Sequence, residues 1–70
     1  MKENKGPGFT KRELEILILI VKGHSSKLIA SELSIAEGTV ELHRNNLIKK
    51  AKAVNMVDVA VKAIRAGWVD

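Results

Sequence analysis

The sequence predicts an all-α fold, a four-helix bundle. Two observations predict it. Four segments place apolar residues at helical spacing behind residues typical of helix N-termini, and glycines or short polar connections separate these segments. No segment has the pattern of a β-strand, and 70 residues leave room for one small domain with a thin core.

The first helix is predicted at residues 10–22. Thr10, followed three residues later by Glu13, matches the capping-box pattern of a helix N-terminus, and Gly23 follows as a stop. The apolar run 16–21 alone is equally compatible with a buried strand, but the capping box, the charged residues before the run and the glycine favour a helix. Apolar residues surround almost the whole helix, which predicts a central position.

Three further helices follow. They are predicted at residues 25–33, 36–51 and 56–66. Ser25 and Asn55 are typical N-cap residues, and Gly67 stands where a glycine commonly ends a helix. Residues 1–8 contain lysines, glycines and a proline and are predicted to be a tail or linker, which leaves residues 9–70 as the folded domain.

Composition disfavours several classes of protein. The chain has no cysteine, and His24 and His43 lie far apart without a carboxylate cluster, so neither a disulfide nor a metal site is expected. The longest apolar run is far too short to span a membrane, and no signal peptide is recognisable, so we expect a soluble, cytoplasmic protein. The sequence contains no phosphate-binding loop and no plausible catalytic set, and we therefore expect neither enzymatic activity nor a cofactor.

The positive charge is concentrated in one segment. The net charge is +4, and four basic residues occupy a stretch of nine that contains no acid: Arg44, Lys49, Lys50 and Lys52. A solvated helix face is the ordinary explanation of such a run. Its concentration on one predicted helix favours a nucleic-acid partner.

The third predicted helix has a narrow apolar strip. On a helical wheel Val40, Leu47 and Ala51 lie on one side and are predicted to face the core. The opposite side carries Gly38, Leu42, Asn45, Asn46 and Lys49, with Glu41 at the flank. Adjacent asparagines are poor helix formers, so their position within a helix suggests a binding role. The second and third helices are joined by about three residues, the spacing of a helix-turn-helix.

The chain resembles the LuxR-type (GerE-like) helix-turn-helix family over residues 9–69. The resemblance rests on a spaced pattern that opens with "FTKRE", continues through "SSKLIA" and "TVELHRNNL", and includes a fourth helix with Ala63, Ile64 and Gly67 in register. The other matching residues are Thr10, Arg12, Glu13, Leu17, Gly23, Ser25, Lys27, Ile29, Ala30, Leu33, Ile35, Thr39, Val40, His43, Asn46, Leu47 and Lys50.

The resemblance implies a bacterial transcription regulator. Domains similar to this one are most often the C-terminal output of a response regulator with a receiver domain, or of a ligand-sensing regulator, and some stand alone. They bind double-stranded DNA as dimers, with the third helix in the major groove and the fourth helix commonly forming the dimer contact. A helical protein-interaction module with no DNA role is the alternative.

Four positions depart from the family pattern. Ala36 replaces a capping serine or threonine, which should cost about 1 kcal/mol of stability. Ala51 replaces a leucine, Ser26 replaces an asparagine, and Glu41 stands where many members have a basic residue. Together these residues predict a modestly stable domain.

Three residues of the third helix are predicted to read bases. Leu42 could contact a thymine methyl group, Asn45 could pair with adenine, and Glu41 could accept a hydrogen bond from the cytosine amino group. The resemblance implies the same three positions. For Glu41 an exposed acid without a reading role is an equal alternative.

A larger set is predicted to contact phosphates. Free amides at the N-terminus of the second helix favour anions, and the other candidates are polar or basic residues of the third helix. The set is Ser25, Ser26, Lys27, Thr39, His43, Arg44, Lys49 and Lys50. His43 has a packed histidine as its alternative role, and the Arg44 head group could instead reach the fourth helix.

The fourth helix has two adjacent apolar faces. Val57, Ala60, Val61 and Ile64 form one face, which is expected to close the core. The second face is predicted to be the contact of a two-fold homodimer, which would place two reading helices one turn of duplex apart. The predicted dimer residues are Met56, Val59 and Ala63. The alternative is a generously apolar helix in a small core.

Overall fold

The predicted fold class is confirmed. A computed structural model describes residues 6–69 and contains, within that range, four helices and no strand. The helices are α1 Lys11–Val21, α2 Ser26–Leu33, α3 Glu37–Ala51 and α4 Met56–Ala66. Their ends agree with the predicted ones to within one residue, and α2 and α3 with their short connection form the helix-turn-helix.

Three of the four helices begin with a side-chain cap. The Thr10 hydroxyl accepts a hydrogen bond from the Glu13 amide at 3.1 Å, and the Glu13 carboxylate accepts one from the Thr10 amide at 2.9 Å. The Ser25 hydroxyl and the Asn55 amide oxygen cap α2 and α4 in the same way. These caps satisfy amides that have no partner inside the helix.

The helix α3 begins without a side-chain cap. Ala36 occupies the N-cap position, and the first turn is closed by backbone alone, with the Thr39 amide 3.0 Å from the Ala36 carbonyl oxygen. The turns before and after α3 both use the left-handed conformation. Ser34 has a φ of 57° and Lys52 a φ of 54°, a region that is costly for residues other than glycine. Both ends of α3 therefore depend on packing for part of their stability.

The core lies between α3 and the other three helices. Its fully buried side chains come from all four helices: Ile16, Leu17, Ile29, Val40, Leu47 and Val59. The helix α3 contributes Val40, Leu47 and Ala51, as predicted. The central position predicted for α1 is shared with α3, because each of these two helices contacts the other three.

The assignment of the two faces of α4 was wrong. The predicted dimer residues Met56, Val59 and Ala63 are buried in the core. Val57 and Ile64 are instead 72% and 61% exposed. The two apolar faces are adjacent on the helix, and α4 packs against α1 and α3 through the face of Met56, Val59 and Ala63.

A lysine–glutamate pair joins α1 to α3. The Lys50 ammonium nitrogen lies 2.7 Å from Oε1 of the buried Glu13 and also donates to the Gly8 carbonyl oxygen at 3.2 Å. Burial alone would raise the pKa of Glu13, but hydrogen bonds from Lys50 and Thr10 outweigh it and hold the pKa below its usual value. Glu13 is therefore a charged residue that the fold requires.

Two aromatic residues, Phe9 and Trp68, pack together close to this pair. Phe9 is buried and packs edge-on against Trp68, with ring centroids 5.4 Å apart. Residues 1–5 of the predicted tail lie outside the described range, while Gly8 contacts the domain through Lys50.

Replacing Glu13 should destabilise the domain in a pH-dependent way. Glu13→Gln should lower the free energy of unfolding at neutral pH by roughly 1–3 kcal/mol, because the Lys50 ammonium loses its charged partner while the glutamine oxygen can still accept from the Thr10 amide. The folded-state pKa is depressed, so the stabilisation is present above the unfolded pKa of about 4.3 and lost as pH falls through the folded value. Urea unfolding curves of the two proteins should converge towards acidic pH.

The matched control is Glu15→Gln. Glu15 lies on the same helix, is exposed, and pairs with Arg12 at 3.2 Å on the surface. Its replacement should change stability by less than about 0.5 kcal/mol at any pH. Equal effects of the two substitutions would show that the buried pair has no special role.

Candidate nucleic-acid interface

The exposed side of α3 forms a continuous surface, here termed the α3 outer face. It consists of Gly38, Glu41, Leu42, Asn45 and Lys49, all of which are exposed. Leu42 is 58% exposed although it is a large apolar residue. None of these side chains packs in the core, so folding does not determine the residue types at these positions and a binding partner can.

The three predicted base-reading residues lie on this face. Leu42 and Asn45 project from successive turns, and Glu41 lies at the edge of the same surface, where its carboxylate is 3.5 Å from Nε of Arg44. Arg44 itself is half-buried, since only 27% of its side chain is exposed. Its partner among the described residues is thus Glu41 and not a residue of α4.

The N-terminus of α2 carries three predicted phosphate-binding residues, and α2 packs directly against α3. Lys27 is exposed, Ser26 is half-buried, and the Ser25 hydroxyl accepts a hydrogen bond from the Leu28 amide at 3.1 Å. That hydroxyl retains its hydrogen for donation to an anion. Lys27 and the serines therefore supply a polar site at the start of α2.

His43 is partly packed into the domain. Its Nδ1 atom is buried and has no hydrogen-bond partner among residues 6–69. Thr39, one turn earlier, is exposed at the same edge of α3. Only the Nε2 atom of His43 is therefore available for a phosphate contact.

The adjacent lysines at the end of α3 have different environments. Lys49 is exposed on the α3 outer face, whereas Lys50 points to the opposite side and pairs with Glu13. We therefore remove Lys50 from the predicted phosphate-binding set, because a contact with DNA would leave a buried carboxylate without its partner. Sequence reasoning missed this role, since nothing local to Lys50 indicates a partner in α1.

The exposed side of α4 forms a second surface, here termed the α4 outer face. It consists of Val57, Val61 and Ile64, and all three are exposed. Val54, directly before the helix, is 84% exposed. Sequence reasoning identified Val57, Val61 and Ile64 as one apolar face but assigned that face to the core.

Within residues 6–69 no group of three or more metal-binding side chains comes together. None of the four helices is long and apolar enough to cross a membrane.

Known proteins are similar to this chain in both sequence and fold. The sequence model for "Bacterial regulatory proteins, luxR family" matches residues 7–63. Transcriptional regulatory protein DegU of Brevibacillus brevis is 37% identical over 60 residues, covering 86% of this chain and 25% of DegU. Regulatory protein SdiA of Escherichia coli is 44% identical over 61 residues, covering 87% of this chain and 25% of SdiA.

A crystal structure of Escherichia coli SdiA has the same fold. It matches 97% of this chain and 29% of the SdiA chain, with a TM-score of 0.86 and 40% sequence identity. The chain thus spans about a quarter of the length of the relatives it matches. The family match over most of its length, together with relatives above 30% identity, shows that this chain belongs to the luxR family of bacterial regulatory proteins.

Proposed function

We propose that this chain is a sequence-specific, double-stranded DNA-binding domain that regulates transcription. The observation that carries the proposal is the α3 outer face. It presents an amide, an aliphatic side chain, an acid and a lysine on the second helix of a helix-turn-helix, and none of them contributes to the core. The relatives are named as regulatory proteins, which supports the same function. Binding of this kind requires no cofactor and no catalytic group.

Base reading is assigned to Glu41, Leu42 and Asn45. An asparagine amide can both donate to and accept from adenine, an aliphatic side chain can contact the thymine methyl group, and a carboxylate can accept from cytosine. The three side chains share one exposed surface of a helix, and the major groove of B-DNA admits an α-helix. These contacts supply specificity rather than most of the affinity.

Phosphate binding is assigned to residues around that surface. Lys49 supplies charge on the outer face itself, and Lys27 with Ser25 and Ser26 supplies charge and hydrogen-bond donors at the start of α2. Thr39 and His43 supply further donors at the edge of α3. Arg44 retains a phosphate contact only if its pair with Glu41 opens.

A homodimer is proposed through the α4 outer face. Val57, Val61 and Ile64 form an exposed apolar strip on a helix whose other side closes the core. A strip of this kind suits a self-complementary two-fold contact, and a two-fold pair would match a pseudo-palindromic site. The dimer contact thus moves from the buried residues of α4 to its exposed ones.

The complete regulator is proposed to be a cytoplasmic response regulator with a receiver domain N-terminal to this domain. The relatives are about four times as long as the matched segment, which leaves room for a sensing domain.

Asn45 and Lys49 should differ in how their loss affects binding. In a pool of duplexes with a randomised core, Asn45→Ala should relax the preference at one base pair by about 1–3 kcal/mol. Lys49→Ala should weaken all duplexes alike and reduce the slope of log K against log salt by about 1. Identical effects of the two substitutions would contradict the assigned roles. Failure of the wild-type chain to bind any duplex at low salt would contradict DNA binding itself.

The adjacent residues Lys49 and Lys50 allow a matched comparison of how each lysine contributes to stability. Lys50→Ala should lower the free energy of unfolding by roughly 1–2 kcal/mol, because the buried Glu13 carboxylate loses its partner. Lys49→Ala should change it by less than about 0.5 kcal/mol. Under conditions where both variants are folded, Lys50→Ala should keep the wild-type salt slope. A reduced slope would return Lys50 to the phosphate-binding set.

The proposed dimer contact is tested by charging the α4 outer face. Ile64→Glu should prevent two chains from assembling on a duplex with two half-sites, because a carboxylate would be buried in the contact. Sedimentation of the complex measures this directly. Ala66→Glu is the control, since Ala66 is exposed but lies about 180° from Val57 around the helix. Wild-type chain that remains monomeric on such a duplex would rule the dimer out.

A further inference from the structure

The pair formed by Glu41 and Arg44 lies at the flank of the α3 outer face. Arg44 Nε is 3.5 Å from Glu41 Oε1, and the two residues are separated by less than one helical turn. Glu41 is 55% exposed, and Arg44 is the more buried of the two. The Glu41 side chain therefore remains accessible to a partner while its carboxylate is next to the Arg44 guanidinium.

Stability does not account for this pair. Exposed pairs at this spacing contribute little to a helix, because solvent screens them and two long side chains must be ordered. The pair does change the electrostatics of the α3 outer face. An isolated carboxylate would be repelled by DNA phosphates, and an adjacent guanidinium offsets that charge locally.

We infer that Arg44 is a positioning residue for base recognition by Glu41. This inference rests on the proposed function. The contact from Arg44 is to one carboxylate oxygen, Oε1, and the carboxylate has a second acceptor in Oε2. Oε2 can accept a hydrogen bond from the N4 amino group of a cytosine, which is exposed in the major groove. The pair thus reads cytosine as a unit, with Arg44 fixing the orientation and Glu41 making the contact.

This role differs in its consequences from the two simpler roles of an arginine at this position. An arginine that contacts phosphate adds affinity to every sequence equally. An arginine that only packs its stem contributes to folding and leaves base preference unchanged. A positioning arginine affects the preference at one base pair, and only while Glu41 is present.

The experiment is a selection from duplexes with a randomised core, carried out with the wild-type chain and five variants. The variants are Glu41→Ala, Arg44→Gln, Arg44→Lys, Asn45→Ala and the double variant Glu41→Ala/Arg44→Gln. Wild type should prefer cytosine at one position by roughly 5- to 10-fold. Glu41→Ala and Arg44→Gln should each lose most of that preference, at the same position and nowhere else.

The double variant and the controls complete the test. Adding Arg44→Gln to Glu41→Ala should produce no further loss of preference, because the two residues act on one contact. Arg44→Lys should restore part of the preference by keeping a positive charge beside the carboxylate. Asn45→Ala should change a different position, and thermal unfolding identifies variants that fold poorly.

Three results would overturn the inference. A uniform loss of affinity in Arg44→Gln, with cytosine preference retained, would make Arg44 a phosphate ligand. An unchanged preference with a lowered melting temperature would make it a packing residue. A cytosine preference that survives Glu41→Ala would remove Glu41 from base reading. Absence of any duplex binding by the wild type would instead refute the proposed function.

Discussion

The ion pair between Lys50 and Glu13 is the contact on which the arrangement of α1 and α3 depends. The Glu13 carboxylate completes the capping box of α1 through the Thr10 amide and also accepts from Lys50 at the far end of α3. The same ammonium group donates to the Gly8 carbonyl oxygen, close to the packed rings of Phe9 and Trp68. A charged group can be buried in so small a core because its Oε1 atom accepts hydrogen bonds from two separate segments.

This anchoring allows α3 to serve both the core and an exterior partner. Only Val40, Leu47 and Ala51 are buried, and the α3 outer face remains exposed to a partner. The first turn of α3 lacks local stabilising interactions. Ala36 provides no cap, and a Cβ added at Gly38 would meet nothing within 4 Å, so the fold itself requires neither residue. Nothing in the structure explains why Ala36 stands at that position.

Local chemistry accounts for what could be predicted from the sequence. The caps at Thr10, Ser25 and Asn55 involve atoms only three residues apart in sequence, so their residue types indicate them directly. The narrow strip of α3 was also predictable, because polar residues surround it and leave one possible core side.

Two features could not be predicted, for different physical reasons. Lys50 and Glu13 are separated by 37 positions, and no periodicity within one helix connects them. The faces of α4 are both apolar and adjacent, so a helical wheel cannot decide which one the other helices cover. Among the reading residues, the wheel placed Glu41 at the flank but could not reveal that Arg44 turns towards it.

The contact between α4 and the end of α3 has a consequence for spacing. The Lys62 ammonium group donates to the Lys52 carbonyl oxygen at 2.9 Å, so α4 holds the last turn of α3 while Val57 and Ile64 remain exposed on its other side. In a dimer formed through those residues, only α4 would lie between each α3 outer face and the two-fold axis. The distance between the two halves of a target site would then be set by rigid packing, leaving little tolerance for an inserted base pair.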